Sequence, residues 1–281
     1  MILVTGASGN VGGDLIPQLL ERGERVRALV RDERKVAHLP PAVERVTGDL
    51  GKPETLAAAM KGARALFLMT SEGGSTTHVE NAVAAAKAAS IGHVVYLSSL
   101  AAVRPTTMIG RWHRSREQLI EASGLPWTFL RPGGFMSNCL RWAGTIKAQG
   151  VVYAPDPRRK SHPIDSLDMA AVAAVALTSP GHRGKTYPMT GEEKLSTADE
   201  VAVLGRVLDK PLRCIDVSAE DARAGMLRSG MSPLLAEAVM ELVASDWDEH
   251  EPKSLRTVRG ITGRPPSTFE DWARRHRQAF Q

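Results

Sequence analysis

The sequence predicts an α/β fold, a doubly wound parallel sheet with a smaller, mainly helical C-terminal region, and three observations carry that prediction. Short β-rich runs alternate with helix-patterned stretches from the first residues to about residue 131, which implies parallel strands joined by crossover helices. Gly23, Gly62, Gly92 and Gly124 each follow a helical stretch, where a left-handed cap favours glycine. The 281 residues are 43% hydrophobic and 24% charged, enough apolar content to bury the core of such a sheet.

In chain order, strands are expected at residues 2–5, 26–30, 43–47, 65–69, 93–98 and 127–131, each a short run rich in aliphatic or aromatic residues. The helices between them are expected at 11–22, 53–60, 78–89 and 111–123. After Pro132 the regularity weakens. Gly133 and Gly134 precede a helical stretch at 136–149, and a loop rich in proline and arginine follows at 154–163. An alanine-rich helix is expected at 168–177 and a late strand at 186–189. The rest, from about residue 192, reads as mostly helical and ends in an amphipathic segment at 268–280.

Bulk properties exclude several function classes. No run reaches the roughly 18 apolar residues of a membrane span, and the chain opens directly on a strand-like run instead of a basic region and a cleavable apolar segment. A cytoplasmic protein with no membrane partner is therefore expected. The net charge is +5, but the basic clusters at 158–160 and 274–277 are short and lack interleaved aromatics, so no nucleic-acid partner is expected. Cys139 and Cys214 have neither metal-ligand spacing nor disulfide density, and no metal is expected.

The strongest local feature is TGASGNVG, in which Gly6, Gly9 and Gly12 follow a strand and open a helix. Gly6 permits the tight turn, Gly9 clears the path of a pyrophosphate, and Gly12 lets the helix pack close to the sheet. The amides of Ser8, Asn10, Val11 and their neighbours then offer donors and partial positive charge to phosphate. This arrangement specifies a Rossmann-type dinucleotide site. With the loss of regularity after Pro132, a dinucleotide-binding domain is expected at 1–132, with 166–190 packing back onto it, and a substrate-binding region at 133–165 and 191–281.

These motifs, with ALVRD, GDL at 48–50, YLSS at 96–99, SGLPWTFLRPGGFMSN at 123–138 and HPIDSLDMAAVAA at 162–174, resemble the NmrA-like branch of the atypical short-chain dehydrogenase/reductases. The resemblance covers roughly residues 1–190 and implies an oxidoreductase related to quinone and dye reductases. It implies that Arg31, at the end of the second strand, accompanies NADPH, since arginine accommodates the 2′-phosphate while an acid there serves the ribose of NADH. Arg34 and Lys35 add charge nearby, and Asp32 keeps NADH as the lesser alternative. Arg31 is alternatively a solvated loop residue. The resemblance also sets Asp49 and Leu50 by the adenine, residues 69–71 (Met69, Thr70, Ser71) near the middle of the cofactor, and Gly133 and Phe135 near the nicotinamide. Asp49 is alternatively a turn or capping residue.

Ordinary members use a tyrosine as proton donor and a lysine four residues later, with a serine after the preceding strand. Ser98 and Ser99 stand at that strand end, but the ungapped register puts Ile109 at the tyrosine position and His113 at the lysine position. The expectation is hydride delivery from NADPH to an electron-poor conjugated or polycyclic aromatic small molecule such as a quinone. Ser98 and His113 are the candidate catalytic residues, both also bordering the cofactor, and a histidine at 113 can hydrogen-bond a ribose hydroxyl and can carry a proton near neutral pH. Ser98 alternatively supports the strand end, and His113 is alternatively a helix-surface residue. Asp165 and Asp168 read as a helix N-cap and first-turn acid in preference to a catalytic pair, Arg131 as structural support, and Met226, Met231 and Met240 as core or as an adaptable pocket wall. A non-catalytic NADP-binding redox sensor or regulator is the main alternative. An epimerase or lyase would need an acid/base pair that the sequence does not display.

Overall fold

The computed structural model describes residues 1–70, 73–245 and 256–281. Seven strands form one parallel sheet: β1 (Ile2–Val4), β2 (Val26–Val30), β3 (Glu44–Thr47), β4 (Ala65–Leu68), β5 (Val94–Leu97), β6 (Trp127–Pro132) and β9 (Lys185–Met189). Their order is β3-β2-β1-β4-β5-β6-β9. The chain winds outward from β1 to β3, then returns to place β4 on the other side of β1. Ligands of open α/β sheets bind at that switch, beyond the carboxyl ends of the strands.

The crossover helices α1 (Asn10–Glu21), α2 (Leu56–Met60), α3 (Thr77–Ala88) and α4 (Met108–Ala122) fall where expected. Pro53 opens a single 3₁₀ turn before α2, which shortens that helix. On one face of the sheet α1 packs against α6 (Ser166–Thr178). The α6 sequence SLDMAAVAAVALT is buried almost all round because the helix lies between α1 and strands β4 to β6. Its alanines allow this close approach, and no amphipathic stripe is needed. The opposite face of the sheet buries Leu66, Leu68, Val94, Tyr96 and Phe129 against α2, α3 and α4.

Three expectations are corrected. Gly92 does not adopt the left-handed conformation; the chain turns earlier, at Ser90 with φ 55°. Gly92 instead runs beside Arg64, donating its amide to that carbonyl at 3.0 Å. The region after residue 132 is mostly helical, as expected, and also holds two small sheets. β7 (Val151–Ala154) pairs in parallel with β11 (Arg213–Asp216), and β8 (Lys160–Ser161) pairs antiparallel with β10 (Leu195–Ser196). These strands are two to four residues long with distant partners, a pattern that local periodicity does not register. The stretch 136–149 begins as a 3₁₀ turn and becomes α5 only at Ala143–Gln149, and the last amphipathic segment divides into α11 (Phe269–Arg275) and a closing 3₁₀ turn.

A further apolar cluster joins Met136, Cys139, Ile146, Val152, Leu204, Phe269, Trp272 and Phe280, gathering α5, β7, α7 (Thr197–Leu208) and α11. Met226, Met231 and Met240 are only partly buried, on and beside the hairpin of α8 (Ala219–Arg228) and α9 (Pro233–Ala244), not in the core. No described helix is long and apolar enough to cross a membrane.

The buried His93 meets Thr128 Oγ1 at 2.9 Å, and burial pushes its pKa down to about 4. The native state thus holds this ring neutral where the unfolded chain protonates it. Stability should fall as pH drops from about 6.5 to about 4, because the unfolded state binds the extra proton. Urea melts of His93→Gln across that window should show a shallower acid loss than the parent.

Candidate active site

At the sheet switch, Thr5 Oγ1 accepts the Met69 amide at 2.8 Å and lies 3.2 Å from the Phe67 carbonyl, stapling the end of β1 to that of β4. Gly6 then turns the chain at φ +65°, a conformation costly for side-chain-bearing residues. Its carbonyl governs the next two glycines. The Gly9 amide donates to it at 2.9 Å, a Cβ at Gly9 would stand 3.2 Å from it, and a Cβ at Gly12 would overlap it. The two-residue spacing of the motif thus follows from one backbone oxygen beneath the turn.

Helix α1 starts at Asn10 with no side-chain cap and no acid in its first turn. By contrast α4, α6, α7, α8, α9 and α11 are capped by Thr107, Asp165, Ser196, Ser218, Ser232 and Thr268. The first amides of α1 lack intrahelical acceptors and carry the positive end of the dipole. They fit the pyrophosphate of a dinucleotide.

A cavity of about 290 Å³ opens here. It brings together Gly6, Ser8, Gly9, Arg31, Asp49, Leu50, Met69 and Thr70 of the expected cofactor residues. It also recruits Thr5, Val36 and His78, which sequence reasoning missed. His78 lies in the first turn of α3, with Nε2 3.3 Å from a Cβ built on Gly51, and nothing in the local sequence marks it. Ser71 and the side chain of Lys35 lie outside the described residues. Asn10, Val11 and Gly12 form the first turn of α1 and do not line the cavity, and Val11 is 3% exposed in the core. Asp49 lines the cavity and is also a turn residue, accepting the Gly51 amide at 2.9 Å.

At the end of β2, Arg31 is exposed on the cavity rim. Asp32 caps the following turn through the Arg34 amide and meets the Arg34 guanidinium in two contacts of 2.9 Å. The Asp32 carboxylate is thus engaged by a cation.

Ser98, His113, Gly133 and Phe135 do not line this cavity. Ser98 is 4% exposed and donates its hydroxyl to Glu117 Oε1 at 2.6 Å. Glu117 is fully buried and receives Arg131 at 2.8 and 2.6 Å and Arg114 at 3.1 Å. The proton of Ser98 is therefore committed to a structural carboxylate, and Arg131 supports the same node. No local signal marks this cluster, which joins β5, β6 and α4.

His113 faces inward from α4, its Nδ1 3.2 Å from the hydroxyl of Tyr96 on β5. Burial, then the nearby charge of Arg116, pushes the His113 pKa down to about 3. A neutral ring near neutral pH follows from that shift. Burial pushes the Tyr96 phenol up to about 12. Thr70 lies beside that phenol and also lines the cavity, so it connects the two halves of the site.

The Gly133–Gly134–Phe135 segment is held by backbone bonds. The Gly133 amide donates to Met189, the Ile164 amide to Gly134 and the Met136 amide to Ile164, at 2.9, 2.8 and 2.9 Å. A Cβ at Gly133 would stand 3.2 Å from Thr190 Cγ2, while Gly134 faces open space. Asp165 caps α6 and meets Arg275, and Asp168 accepts the Ser267 amide at 2.6 Å. Neither acid is poised for catalysis. Among the described residues no group of three or more His, Cys, Asp or Glu is arranged to hold a metal ion.

Comparison with known proteins agrees with this geometry. The profile of the NAD(P)H-binding family matches residues 6–180. The chain is 38% identical to an NAD(P)H azoreductase of Xenophilus azovorans, over 100% of this chain and 99% of that one. It is also 38% identical to a (4-alkanoyl-5-oxo-2,5-dihydrofuran-3-yl)methyl phosphate reductase of Streptomyces griseus, with the same coverage. The solved structure of an NADPH-dependent quinone oxidoreductase from Escherichia coli complexed with NADPH superposes with a TM-score of 0.82 at 26% identity, covering 97% of this chain and 98% of that one.

Proposed function

From the premise that this chain belongs to the NAD(P)H-binding family, in the NmrA-like branch of the atypical short-chain dehydrogenase/reductases, we propose that it is an NADPH-dependent reductase of electron-poor conjugated small molecules. The coarse activity is that of an NAD(P)H-dependent reductase. The observation that carries the finer reading is α4 itself, MIGRWHRSREQLIEA, which holds neither tyrosine nor lysine. An isolated ketone needs a strong acid at its oxygen as hydride arrives, whereas a quinone, an azo group or an unsaturated lactone spreads the added charge through its own π system. The relatives named for azo, quinone and oxo-dihydrofuran substrates share that property.

The bound nicotinamide would supply the hydride. The residues of this chain do the rest. The glycine turn and the first amides of α1 hold the pyrophosphate. Arg31 serves the 2′-phosphate, and the Asp32–Arg34 pairing withdraws the acid that would favour NADH. Gly133 and Phe135 offer a flat, apolar surface for the nicotinamide.

Two titrations followed by cofactor fluorescence test the cofactor assignment. Arg31→Ala should weaken NADPH binding about 10- to 100-fold, the scale of a charge-assisted hydrogen bond of about 1.5–3 kcal/mol, and leave NADH binding nearly unchanged. Arg34→Ala should release Asp32 and improve NADH binding relative to NADPH. An equal loss for both cofactors in Arg31→Ala would contradict the assignment. The acceptor class is tested by following NADPH consumption with a quinone, an azo dye and an unsaturated lactone, against a simple ketone that should not react.

A further inference from the structure

The pairing of Tyr96 with His113 lies outside the sequence-based assignment and outside the cavity that holds the cofactor residues. Tyr96 is fully buried in β5, between the sheet and α4. Its hydroxyl is 3.2 Å from His113 Nδ1. The groups facing the pair are Thr70 from the end of β4, Arg116 and Glu117 from α4, and, through Glu117, Arg131 from β6. His113 as a residue is partly exposed, and among the described residues no hydrogen bond to its Nε2 is found. One ring nitrogen is held inside the protein, and the other is free.

Resting on the reductase reading, we infer that His113 gives its Nε2 proton to the reduced acceptor, while Tyr96 holds and refills Nδ1. In this scheme the Tyr96 hydroxyl, 3.2 Å from Nδ1, donates to it, and the proton of the neutral ring then stands on Nε2. A hydride brings an electron pair without a proton, so the reduced acceptor is an anion at oxygen, nitrogen or carbon. The Nε2–H bond breaks as the bond from that atom to hydrogen forms, and the Tyr96 O–H proton moves to Nδ1. The phenolate left behind is transient and lies beside the Arg116 cation. Resetting takes one proton from water at Nε2 as Nδ1 returns its own to Tyr96. Water therefore never has to reach the buried phenol. Tyr96 is a positioning residue in this scheme, because it acts only through His113.

The scheme separates acceptors by the basicity of their anions. A quinol anion is a weak base and gains little from an internal donor, whereas the anion of an azo group or an unsaturated lactone, though spread through its π system and less basic than a simple alkoxide, is more basic than a quinol anion and gains more. Tyr96→Phe and His113→Gln should lower kcat about 100-fold with the azo and lactone acceptors, by much less with a quinone, and leave the KM for NADPH unchanged. In the intact protein, ¹⁵N NMR should show His113 neutral with its proton on Nε2 from about pH 5 upward, below the ordinary histidine pKa of about 6.5, and Tyr96→Phe should mix the tautomers. A proton on Nδ1, or an imidazolium at pH about 6, would overturn the relay without reference to turnover. Wild-type turnover matched by both variants would overturn the relay alone. A wild type that binds NADPH and consumes none with any acceptor would overturn the reductase reading and the relay with it.

Discussion

Gly12→Val should abolish measurable NADPH binding and destabilise the protein by about 1–3 kcal/mol, the usual cost of forcing extra atoms into a packed site. The added Cβ would overlap the Gly6 carbonyl oxygen and press on its carbon at 2.8 Å. That oxygen cannot move without losing the 2.9 Å bond from the Gly9 amide that shapes the turn. The obstacle is backbone, so rotamer adjustment cannot relieve it. Gly6→Ala is a milder case sterically, because the atom it meets is the flexible end of Met69 at 2.8 Å, though its φ of +65° adds backbone strain. Gly134→Ala should bind NADPH normally, since nothing lies within 4 Å of that site. Cofactor titration and urea unfolding of the three variants check this ranking.

Glu117→Ala should cost about 3–5 kcal/mol of stability, the scale for removing one partner of a buried ion pair. The carboxylate is fully buried and carries Arg131, Arg114 and the Ser98 hydroxyl. Its loss leaves Arg131 without an anion where β5, β6 and α4 meet, and the expected reading is a large drop in the urea midpoint. Glu117→Gln keeps the shape and one acceptor oxygen, so it should fall between the two. If Glu117→Ala unfolds at the same urea concentration as the parent, the node is not structural and Ser98 regains its claim to chemistry.

The cofactor half of this molecule was legible because its determinants are local. Three glycines, a strand before and a helix after specify the turn within twelve residues, and the structure gives each glycine a steric reason. Arg31 stands just past the end of β2, where the sequence places it, on the rim of the cavity. The chemical half was less legible because its contacts are tertiary. Tyr96 and Glu117 sit in an ordinary strand and an ordinary helix. Only the packing of α4 on the sheet brings Tyr96 to His113 and Ser98 to Glu117. The charge state of His113 depends on burial, which residue type does not reveal, and so the neutral ring was not foreseen. The small sheet of β7 and β11 escaped for a related reason, since Val151 and Arg213 are paired from distant parts of the chain.

The central claim is that hydride leaves NADPH for an external conjugated acceptor on this protein. It is tested most directly with NADPH deuterated at the transferable position and an unsaturated lactone as acceptor, followed by mass spectrometry of the product. A carbon-bound deuteron in the reduced lactone, formed only in the presence of the protein, is the predicted result. Cofactor that binds tightly but returns undiminished, with the lactone unchanged, would contradict the claim and identify the chain as an NADP-binding sensor.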